Sequence, residues 1–222
     1  MYLADFGANV VSAQRDSVVL DRTAFNPKGG GLVSDTGSIN TSRVSEVTKE
    51  GEEVIHIVQD ASVMKPGDAV RGLLDWERRH RVMRMHTAAH MLSSIVNVET
   101  GALITGNQIK PDESRVDFNL DEFDRDRMSY FIDKVNQAAA RNLDVTAYFM
   151  KREEVLATPG LVKLANAMPP SLEVLRIVKI GDVDTQADGG VHVRNTNEIG
   201  RLVGLRTENK GRNNRRLYFA VE

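Results

Sequence analysis

Three of the five histidines in the chain fall into two compact clusters that could bind a metal ion. His86 and His90 lie four residues apart in a run of good helix formers, and positions i and i+4 of an α-helix share one face. The second cluster is Asp188-Gly189-Gly190-Val191-His192, whose two glycines let the backbone bring a carboxylate and an imidazole to one point. We therefore predict a mononuclear zinc site, with one ion per chain, formed by both clusters.

The alternative interpretation is that these histidines are ordinary core or surface residues, because the i,i+4 spacing occurs on many helices. Thr87 follows His86, so the metalloprotease motif, in which a Glu follows the first histidine, is absent. The chain has no cysteine, which leaves His, Asp, Glu and water as the available zinc ligands. The metal hypothesis therefore depends on the second cluster as much as on the first.

The composition is that of an ordinary soluble protein, with 41% hydrophobic and 27% charged residues among 222. A net charge of −2 gives no overall attraction to nucleic acid, so any RNA contact has to come from a local basic patch. The lack of cysteine fits a reducing compartment, and we find neither a signal peptide nor an apolar stretch long enough to span a bilayer. We expect a cytoplasmic protein with no membrane contact, and nothing in the sequence indicates an obligate protein partner.

Short strand-like segments separated by turns fill the first 75 residues. Val10-Val11 and Val18-Val19-Leu20 flank a turn at residues 14–17, which predicts a hairpin. The segment Asn26-Pro27-Lys28-Gly29-Gly30-Gly31 is too rich in glycine to be a strand interior. We predict a small β-barrel domain over residues 1–75.

A long helix is predicted from Trp76 to about Val98, with Asp75 as its N-cap. Strands, a second helix at residues 124–142 and a short helix at residues 151–157 follow. A strand at residues 174–180 then leads into a loop that carries Asp188 and His192. This order predicts an α+β domain with a mostly antiparallel sheet over residues 76–222.

Several motifs occur in an order that resembles a known family. They are His86-Thr87-Ala88-Ala89-His90, Arg115-Val116-Asp117-Phe118, Gly189-Gly190-Val191-His192-Val193, Asn195-Thr196 and Glu198-Ile199-Gly200. This pattern is similar to the editing domain of alanyl-tRNA synthetase and to its freestanding relatives, the alanyl-tRNA editing proteins. The glycine-rich segment, with Ser34-Asp35-Thr36-Gly37 after it, resembles a motif in the N-terminal barrel of the medium-length members. The resemblance covers nearly the whole chain.

The resemblance implies a translation-factor-like β-barrel followed by an α+β editing domain of the kind shared with threonyl-tRNA synthetase. It also implies a zinc-dependent hydrolase that removes wrongly attached serine from alanine tRNA, with glycine as a second candidate. Mischarged alanine tRNA is thus the expected partner. A full synthetase is not expected, because the two predicted domains leave no room for an aminoacylation domain.

Editing of this kind has a physical basis. A pocket built for alanine cannot strongly exclude an amino acid that adds a hydroxyl or lacks a methyl, so a second, hydrolytic step is needed. The bond to be broken is an ester between the amino-acid carboxyl and a ribose hydroxyl of the terminal adenosine. Zinc could hold the α-amino group of the substrate or activate the attacking water, and the sequence leaves both open.

Individual residues have candidate roles, some of them implied by the resemblance, and each role has a structural alternative. His86, His90 and His192 would bind zinc; Asp188 stands where the family usually has Cys, and would either bind zinc or orient a histidine. Thr87 resembles the residue that senses the serine hydroxyl, or it bonds back to a helix carbonyl. Gln186 would position water or substrate, or it is simply solvated. The backbone of Gly29, Gly30 and Gly31 would approach the substrate, or it forms a tight turn.

Two groups of basic residues are candidates for phosphate contacts, which position an RNA without specifying its sequence. The first consists of Arg78, Arg79, Arg81 and Arg84, and the second of Lys210, Arg212, Arg215 and Arg216. Arg78, Arg79 and Arg81 are assigned to the solvated side of the long helix, and ordinary solvated charge is the alternative for both groups.

Two other classes of function stay open at this point. The chain could be a zinc-dependent hydrolase of a small ester or amide, or a non-catalytic tRNA-binding module that lost its metal with the change from Cys to Asp at position 188. Metal content separates the second alternative from the two enzymes, and activity on a small aminoacyl ester separates the enzymes from each other.

Overall fold

The computed structural model describes residues 1–121, 124–163 and 171–222 of the chain. The fold consists of two compact units, Met1–Val82 and Met83–Glu222, so the division falls inside the first helix. The domain boundary between residues 75 and 76 stays a prediction.

The first unit contains a closed barrel of six antiparallel strands, which confirms the predicted fold class for this part of the chain. The strands are β1 (Asp5–Gln14), β2 (Ser17–Leu20), β3 (Gly37–Ile39), β4 (Ser42–Glu50), β5 (Glu53–Val58) and β6 (Ala69–Leu74), and their order around the barrel is β1-β2-β5-β4-β3-β6. Alternate residues point inward, as in β6, where Val70, Gly72 and Leu74 are buried and their neighbours are exposed. Val18, Ile39, Val44 and Val47 are among the residues that fill the interior.

Helix α1 (Trp76–Thr100) begins at the predicted N-cap, where Asp75 Oδ1 accepts a hydrogen bond of 3.1 Å from the Arg78 N–H. Gly101 follows the last residue of the helix and has a left-handed φ of +73°, which is typical of a helix C-terminus. Within the second unit, every residue from Met83 to Ser94 is buried except the half-buried Arg84. The histidines of this helix are therefore held in packed surroundings.

The structure corrects the assignment of Arg79 to the solvated side of the helix. The Arg79 side chain is 2% exposed and forms a buried ion pair with Asp35, with Arg79 Nε 2.7 Å from Asp35 Oδ1. Its guanidinium also donates to the carbonyl oxygens of Met1 and Ala24. A buried guanidinium needs a partner for its charge and for its N–H groups, and Arg79 has both. Arg79 is therefore an internal residue of the first unit and not part of a solvated basic surface.

The second unit contains two antiparallel sheets and two further helices, as the predicted α+β class requires. Its elements are β7 (Ile104–Gln108), β8 (Ser114–Phe118), α2 (Arg125–Ala139), β9 (Val145–Lys151), α3 (Arg152–Ala157), β10 (Val174–Ile180), β11 (Asp184–Ala187), β12 (Leu202–Asn209) and β13 (Arg215–Val221). One sheet has the order β12-β13-β8-β7 and the other β11-β10-β9. A short 3-10 turn at Thr196–Glu198 follows the second histidine cluster.

Strand β11 is the main departure from the sequence-based assignment, which placed this segment in a loop. Asp184, Gln186 and Asp188 lie on one face of the three-stranded sheet, because β11 pairs with β10 in a register that joins Asp184 to Ile180 and Gln186 to Val178. The opposite face carries Leu175 and Ile177 in a separate apolar cluster. One face of this sheet thus carries the polar residues Asp184, Gln186 and Asp188 beside the buried side chains of Val178 and Ile180.

Candidate metal centre

Four predicted ligands converge at one point in the second unit. One ligand atom from each of His86, His90, Asp188 and His192 lies within 4.8 Å of the others. Asp188 Oδ1 is 3.7 Å from His86 Nε2 and 3.9 Å from His90 Nε2, and Asp188 Oδ2 is 3.0 Å from His192 Nε2. The three imidazole rings lie with their centroids 4.2 to 4.7 Å apart. The carboxylate therefore faces the same nitrogen of all three histidines.

The other nitrogen of each histidine has a hydrogen-bond acceptor. His86 Nδ1 donates to the Val191 carbonyl oxygen at 3.1 Å. His90 Nδ1 donates to Asp184 Oδ2 at 2.9 Å, and His192 Nδ1 donates to Thr87 Oγ1 at 3.1 Å. A hydrogen bond of this kind fixes the proton on Nδ1 and leaves the Nε2 lone pair for a metal. All three Nε2 atoms are thus presented to the Asp188 carboxylate as acceptors.

The loop between Asp188 and His192 is held in place by its own backbone and by Arg176. The Gly190 N–H donates to Asp188 Oδ2 at 2.8 Å. Arg176 Nη1 donates to the carbonyl oxygens of Asp188 and Gly190, at 3.1 and 2.8 Å. Arg176 of strand β10 therefore holds the loop at Asp188 and at Gly190. Arg176 was not predicted from the sequence.

The electrostatics of the cluster favour neutral side chains at His86 and His192 beside an ionised Asp188. Burial, with a contribution from neighbouring His192, holds the pKa of His86 well below its ordinary value. Burial likewise lowers the pKa of His192 to about 4, although the nearby Asp188 carboxylate acts to raise it. Burial raises the pKa of Asp188, but the nearby imidazoles outweigh it and hold the pKa below its ordinary value. These are the protonation states in which such groups bind a metal.

Asp184 and Lys163 extend the network behind His90, and the sequence analysis missed both. The Asp184 side chain is fully buried and forms an ion pair with Lys163, whose ammonium also donates to Ser94 Oγ at 3.0 Å. Burial raises the pKa of Asp184, but the hydrogen bond from His90 and the charge of Lys163 outweigh it and lower the pKa. The only signal in the sequence was the alternation of Asp184, Gln186 and Asp188, which is the period of a strand face.

Gln186 lies against the cluster, and its role in positioning water or substrate stays a prediction. Its Nε2 is 3.0 Å from His90 Nε2. Its Oε1 is buried and has no hydrogen-bond partner in the part of the chain that the structure describes. An unpaired buried acceptor is costly, so this oxygen is available to a donor group placed beside the four ligands.

Thr87 is fully buried on the same helix face. Its hydroxyl donates to the Met83 carbonyl oxygen at 2.9 Å, which is the helix back-bond that the sequence analysis named as the alternative. The same oxygen accepts from His192 Nδ1 and, at 3.3 Å, from the Val193 N–H. Thr87 therefore orients His192, and its recognition of a substrate hydroxyl stays a prediction.

The donor set fits zinc. Histidine nitrogens and a carboxylate oxygen are ordinary zinc ligands, and each histidine has the hydrogen-bonded partner that metal-bound imidazoles require. Three of the four side chains are at most 5% exposed and Asp188 is 18% exposed. The cluster could therefore hold a metal ion with Asp188 as a direct ligand.

The other predicted site residues lie elsewhere in the fold. Gly29, Gly30 and Gly31 belong to the first unit, where Gly29 and Leu32 form an isolated bridge and Gly30 and Gly31 have left-handed φ values of +59° and +89°. This is the tight turn named as the alternative, and contact with a substrate stays a prediction.

Most of the predicted basic residues are engaged within the protein. In the first group, Arg78 Nη1 donates to the Ser34 carbonyl, Arg81 pairs with Glu77 at 2.9 Å, and Arg84 donates to the carbonyl oxygens of Ile199 and Glu222. In the second group, Arg216 pairs with Asp117 at 2.7 Å, Lys210 pairs with Glu208 at 2.9 Å, and Arg215 donates to Asn209 Oδ1 and the Gly211 carbonyl. Arg212 is exposed at the tip of the β12–β13 hairpin. Phosphate binding by either group stays a prediction.

No helix in the described part of the chain is both long enough and apolar enough to cross a bilayer.

Comparison with known proteins places the chain in a family. Residues 175–218 match the family described as the threonyl and alanyl tRNA synthetase second additional domain, and residues 3–78 match the class II (A) tRNA synthetases. The chain is 33% identical over 208 residues to an alanine–tRNA ligase of Methanococcus maripaludis, an alignment that covers 92% of the chain and 23% of the ligase.

Relatives that the chain matches over almost their whole length have a higher sequence identity. The alanyl-tRNA editing protein AlaX-M of Saccharolobus solfataricus is 40% identical over 227 residues, covering 100% of the chain and 95% of the relative. The protein of the same name from Methanosarcina barkeri is 39% identical over 231 residues, covering 99% of the chain and 95% of the relative. On this evidence the chain belongs to the alanyl-tRNA editing proteins of the AlaX-M type.

Proposed function

We propose that this protein is a zinc-dependent aminoacyl-tRNA deacylase that acts in trans on mischarged alanine tRNA and removes serine, with glycine as the second candidate substrate. The family supports deacylation of tRNA. The observation that carries the proposal is the convergence of three imidazole Nε2 atoms on the Asp188 carboxylate, each with its Nδ1 atom already bonded.

In this proposal His86, His90, His192 and Asp188 hold the zinc ion. When bound, zinc supplies a Lewis acid for the α-amino group or carbonyl of the substrate, or for a water whose pKa falls toward about 7. Asp184 and Thr87 keep the proton on Nδ1 of His90 and His192. The protein therefore presents the ligand nitrogens of His90 and His192 in the tautomer that metal binding requires.

Gln186 is the residue we assign to the reacting end of the substrate. Its amide nitrogen lies beside His90 and its unpaired carbonyl oxygen is an acceptor. A water molecule, a hydroxyl or an α-ammonium group could each donate to that oxygen. Gln186 would then orient either the attacking water or the amino acid against the ester.

The backbone of residues Gly29–Gly31 and the basic residues are proposed as further contacts to the charged tRNA. Arg212 is the strongest candidate of its group, because Lys210, Arg215 and Arg216 bond to neighbours on the hairpin and sheet. Such contacts would position the RNA rather than read its sequence.

The deciding experiment is deacylation of serine-, glycine- and alanine-charged alanine tRNA, before and after removal of metal with a chelator and after restoration of zinc. We expect rapid loss of serine, little loss of alanine, and activity that disappears with the chelator and returns with zinc. Equal rates for serine and alanine would remove the case for editing. A serine methyl ester hydrolysed as efficiently as the charged tRNA would identify a small-ester hydrolase instead, and a metal-free, inactive protein would identify a binding module.

A further inference from the structure

A row of three side chains runs from the candidate metal centre to the outer edge of the β11-β10-β9 sheet. The Asp188 N–H donates to the Arg176 carbonyl at 3.0 Å, which places Asp188 opposite Arg176 and continues the register in which Ala187 pairs with Ile177. Arg176 in turn pairs with Phe149 of the edge strand β9. Because cross-strand partners project to the same face of a sheet, these three side chains lie side by side.

Phe149 is the most exposed aromatic side chain of the second unit among the described residues, at 70%. Val174 is 48% exposed and pairs with Lys151, so it is a diagonal neighbour of Phe149 on the same face. The opposite face of this sheet is covered, since Leu175 and Ile177 pack with Val155 of α3 and with Leu161. The exposed apolar strip is therefore on the face of the metal centre.

The spacing of the row matches the dimensions of a nucleoside. Neighbouring strands lie about 4.8 Å apart, so Phe149 stands about 10 Å from Asp188. In an aminoacyl ester of a nucleoside, the base lies one ribose away from the reacting carbonyl. A substrate whose ester reaches the four ligands can thus place its terminal base over β9.

We propose that Phe149 is a stacking platform for the base of the terminal adenosine of the charged tRNA. Every nucleobase has a π-face that can stack on an aromatic ring, and aromatic side chains beside a cationic groove are the usual means of binding single-stranded nucleic acid. Arg176 supplies positive charge between the ring and the metal centre, with its guanidinium 3.9 Å from the Asp188 carboxylate. This inference rests on the proposed deacylase function.

The neighbouring residue provides a matched control. Tyr148 is also an aromatic residue of β9 and is 41% exposed, but it pairs with Ile177 and therefore projects to the opposite face. Truncation of either ring removes exposed aromatic surface from the same strand. Only truncation of Phe149 removes it from the face of the metal centre.

We would measure kcat and KM for serine-charged alanine tRNA and for serine methyl ester with wild type, Phe149→Ala, Phe149→Trp and Tyr148→Ala. Loss of one stacked base corresponds to a KM about 5- to 150-fold higher. We expect that increase for Phe149→Ala on the charged tRNA alone, near-normal KM for Phe149→Trp and Tyr148→Ala, and an unchanged rate on the ester for every variant. An unchanged KM for Phe149→Ala, or an equal loss on the ester, would overturn the proposal.

A binding measurement separates this proposal from the deacylase function. Phe149→Trp and Tyr148→Trp each add one tryptophan to the single native Trp76. A short single-stranded RNA ending in adenosine should quench the added fluorescence of Phe149→Trp and leave that of Tyr148→Trp unchanged. If the RNA quenches this fluorescence but the protein deacylates no charged tRNA, the proposed deacylase function is wrong and the base-binding site is supported. Absence of quenching, or self-association that Phe149→Ala abolishes without a change in KM, would show that the ring serves another contact.

Discussion

His90 Nδ1 lies 2.9 Å from Oδ2 of Asp184, a fully buried carboxylate that lies behind the histidine rather than among the four converging ligands. The pair fixes which nitrogen of His90 carries the proton. Lys163 compensates the charge of Asp184 from the other side. The ligand geometry of the site therefore depends on a residue that would not itself touch the metal.

We expect Asp184→Asn to weaken zinc binding about 10- to 100-fold, the usual effect of removing a partner of a metal-bound histidine. The substitution also leaves the Lys163 ammonium without its buried counter-charge, which should lower the free energy of unfolding. Zinc affinity is measured by competition with a chelating dye. Asp182→Asn is the control, because Asp182 lies on the preceding turn and pairs with Arg141 at the surface. Equal zinc affinity for the two variants would contradict the prediction.

Substitutions of Asp188 test whether its carboxylate is a direct ligand. Asp188→Ala should lose tightly held zinc, because one of four ligands is removed. Asp188→Cys should retain one zinc per chain, since a thiolate suits zinc well. The measurements are zinc per chain after dialysis and the deacylation rate of each variant. If Asp188→Ala holds zinc as tightly as wild type, the site consists of three histidines and solvent.

The glycine-rich segment can be tested with two glycines of equal backbone geometry. Gly30 and Gly51 are both exposed turn residues of the first unit with φ of +59°, and a Cβ at either would meet no atom within 4 Å. Replacing either with Leu imposes a similar left-handed strain of about 1 kcal/mol. We expect Gly30→Leu to reduce deacylation while Gly51→Leu leaves it intact, with matched losses in melting temperature. Comparable activity in both variants would indicate that the glycine-rich segment only forms a tight turn and does not contact the substrate.

His56 predicts a pH dependence of the stability of the barrel. Its ring is fully buried, with Nδ1 bonded to the Val18 carbonyl at 3.0 Å and Nε2 2.8 Å from Thr23 Oγ1. Burial lowers its pKa below the ordinary 6.5. The unfolded chain therefore takes up a proton more readily, and the free energy of unfolding should fall as pH drops below about 6.5 toward the lowered pKa.

The measurement is chemical unfolding of wild type and His56→Gln between pH 8 and 5, in the presence of chelator so that bound metal does not contribute. His56→Gln should be less stable at neutral pH by about 1 to 3 kcal/mol, because it disturbs a buried hydrogen-bonded group. Its stability should also depend less on pH than that of wild type. Parallel pH profiles for the two proteins would show that His56 does not titrate with unfolding.

The parts of the fold that the sequence predicted are those with strong periodicity. Alternation in Ala69–Leu74 and the N-cap Asp75 mark β6 and the start of α1, and the structure has both. Strand β3 is too short, at three residues, to show a period. Strand β11 was assigned to a loop because two of its four residues, Asp184 and Gln186, are polar members of the site, so the apolar alternation typical of a strand is missing.

The sequence predicted those parts of the site whose residues lie close together in the chain. The i,i+4 pair on α1 and the Asp188–His192 loop each place their members by backbone geometry, and the structure brings the two clusters together. Lys163 and Arg176 were missed because tertiary packing alone brings them to their partners. Arg79 was misassigned for the same reason, since its buried counter-ion Asp35 lies 44 residues earlier in the chain.

The presence of Asp rather than Cys at position 188 also affects how the site responds to oxidation. A cysteine thiolate reacts with peroxide to give sulfenic and then irreversible sulfinic and sulfonic acids, and each step would remove a sulfur ligand from such a centre. Here the converging donors are imidazole nitrogens and carboxylate oxygens, and the chain contains no cysteine at all. If these donors hold a metal ion, the centre has no thiol that peroxide could oxidise, unlike a centre in which cysteine is a ligand.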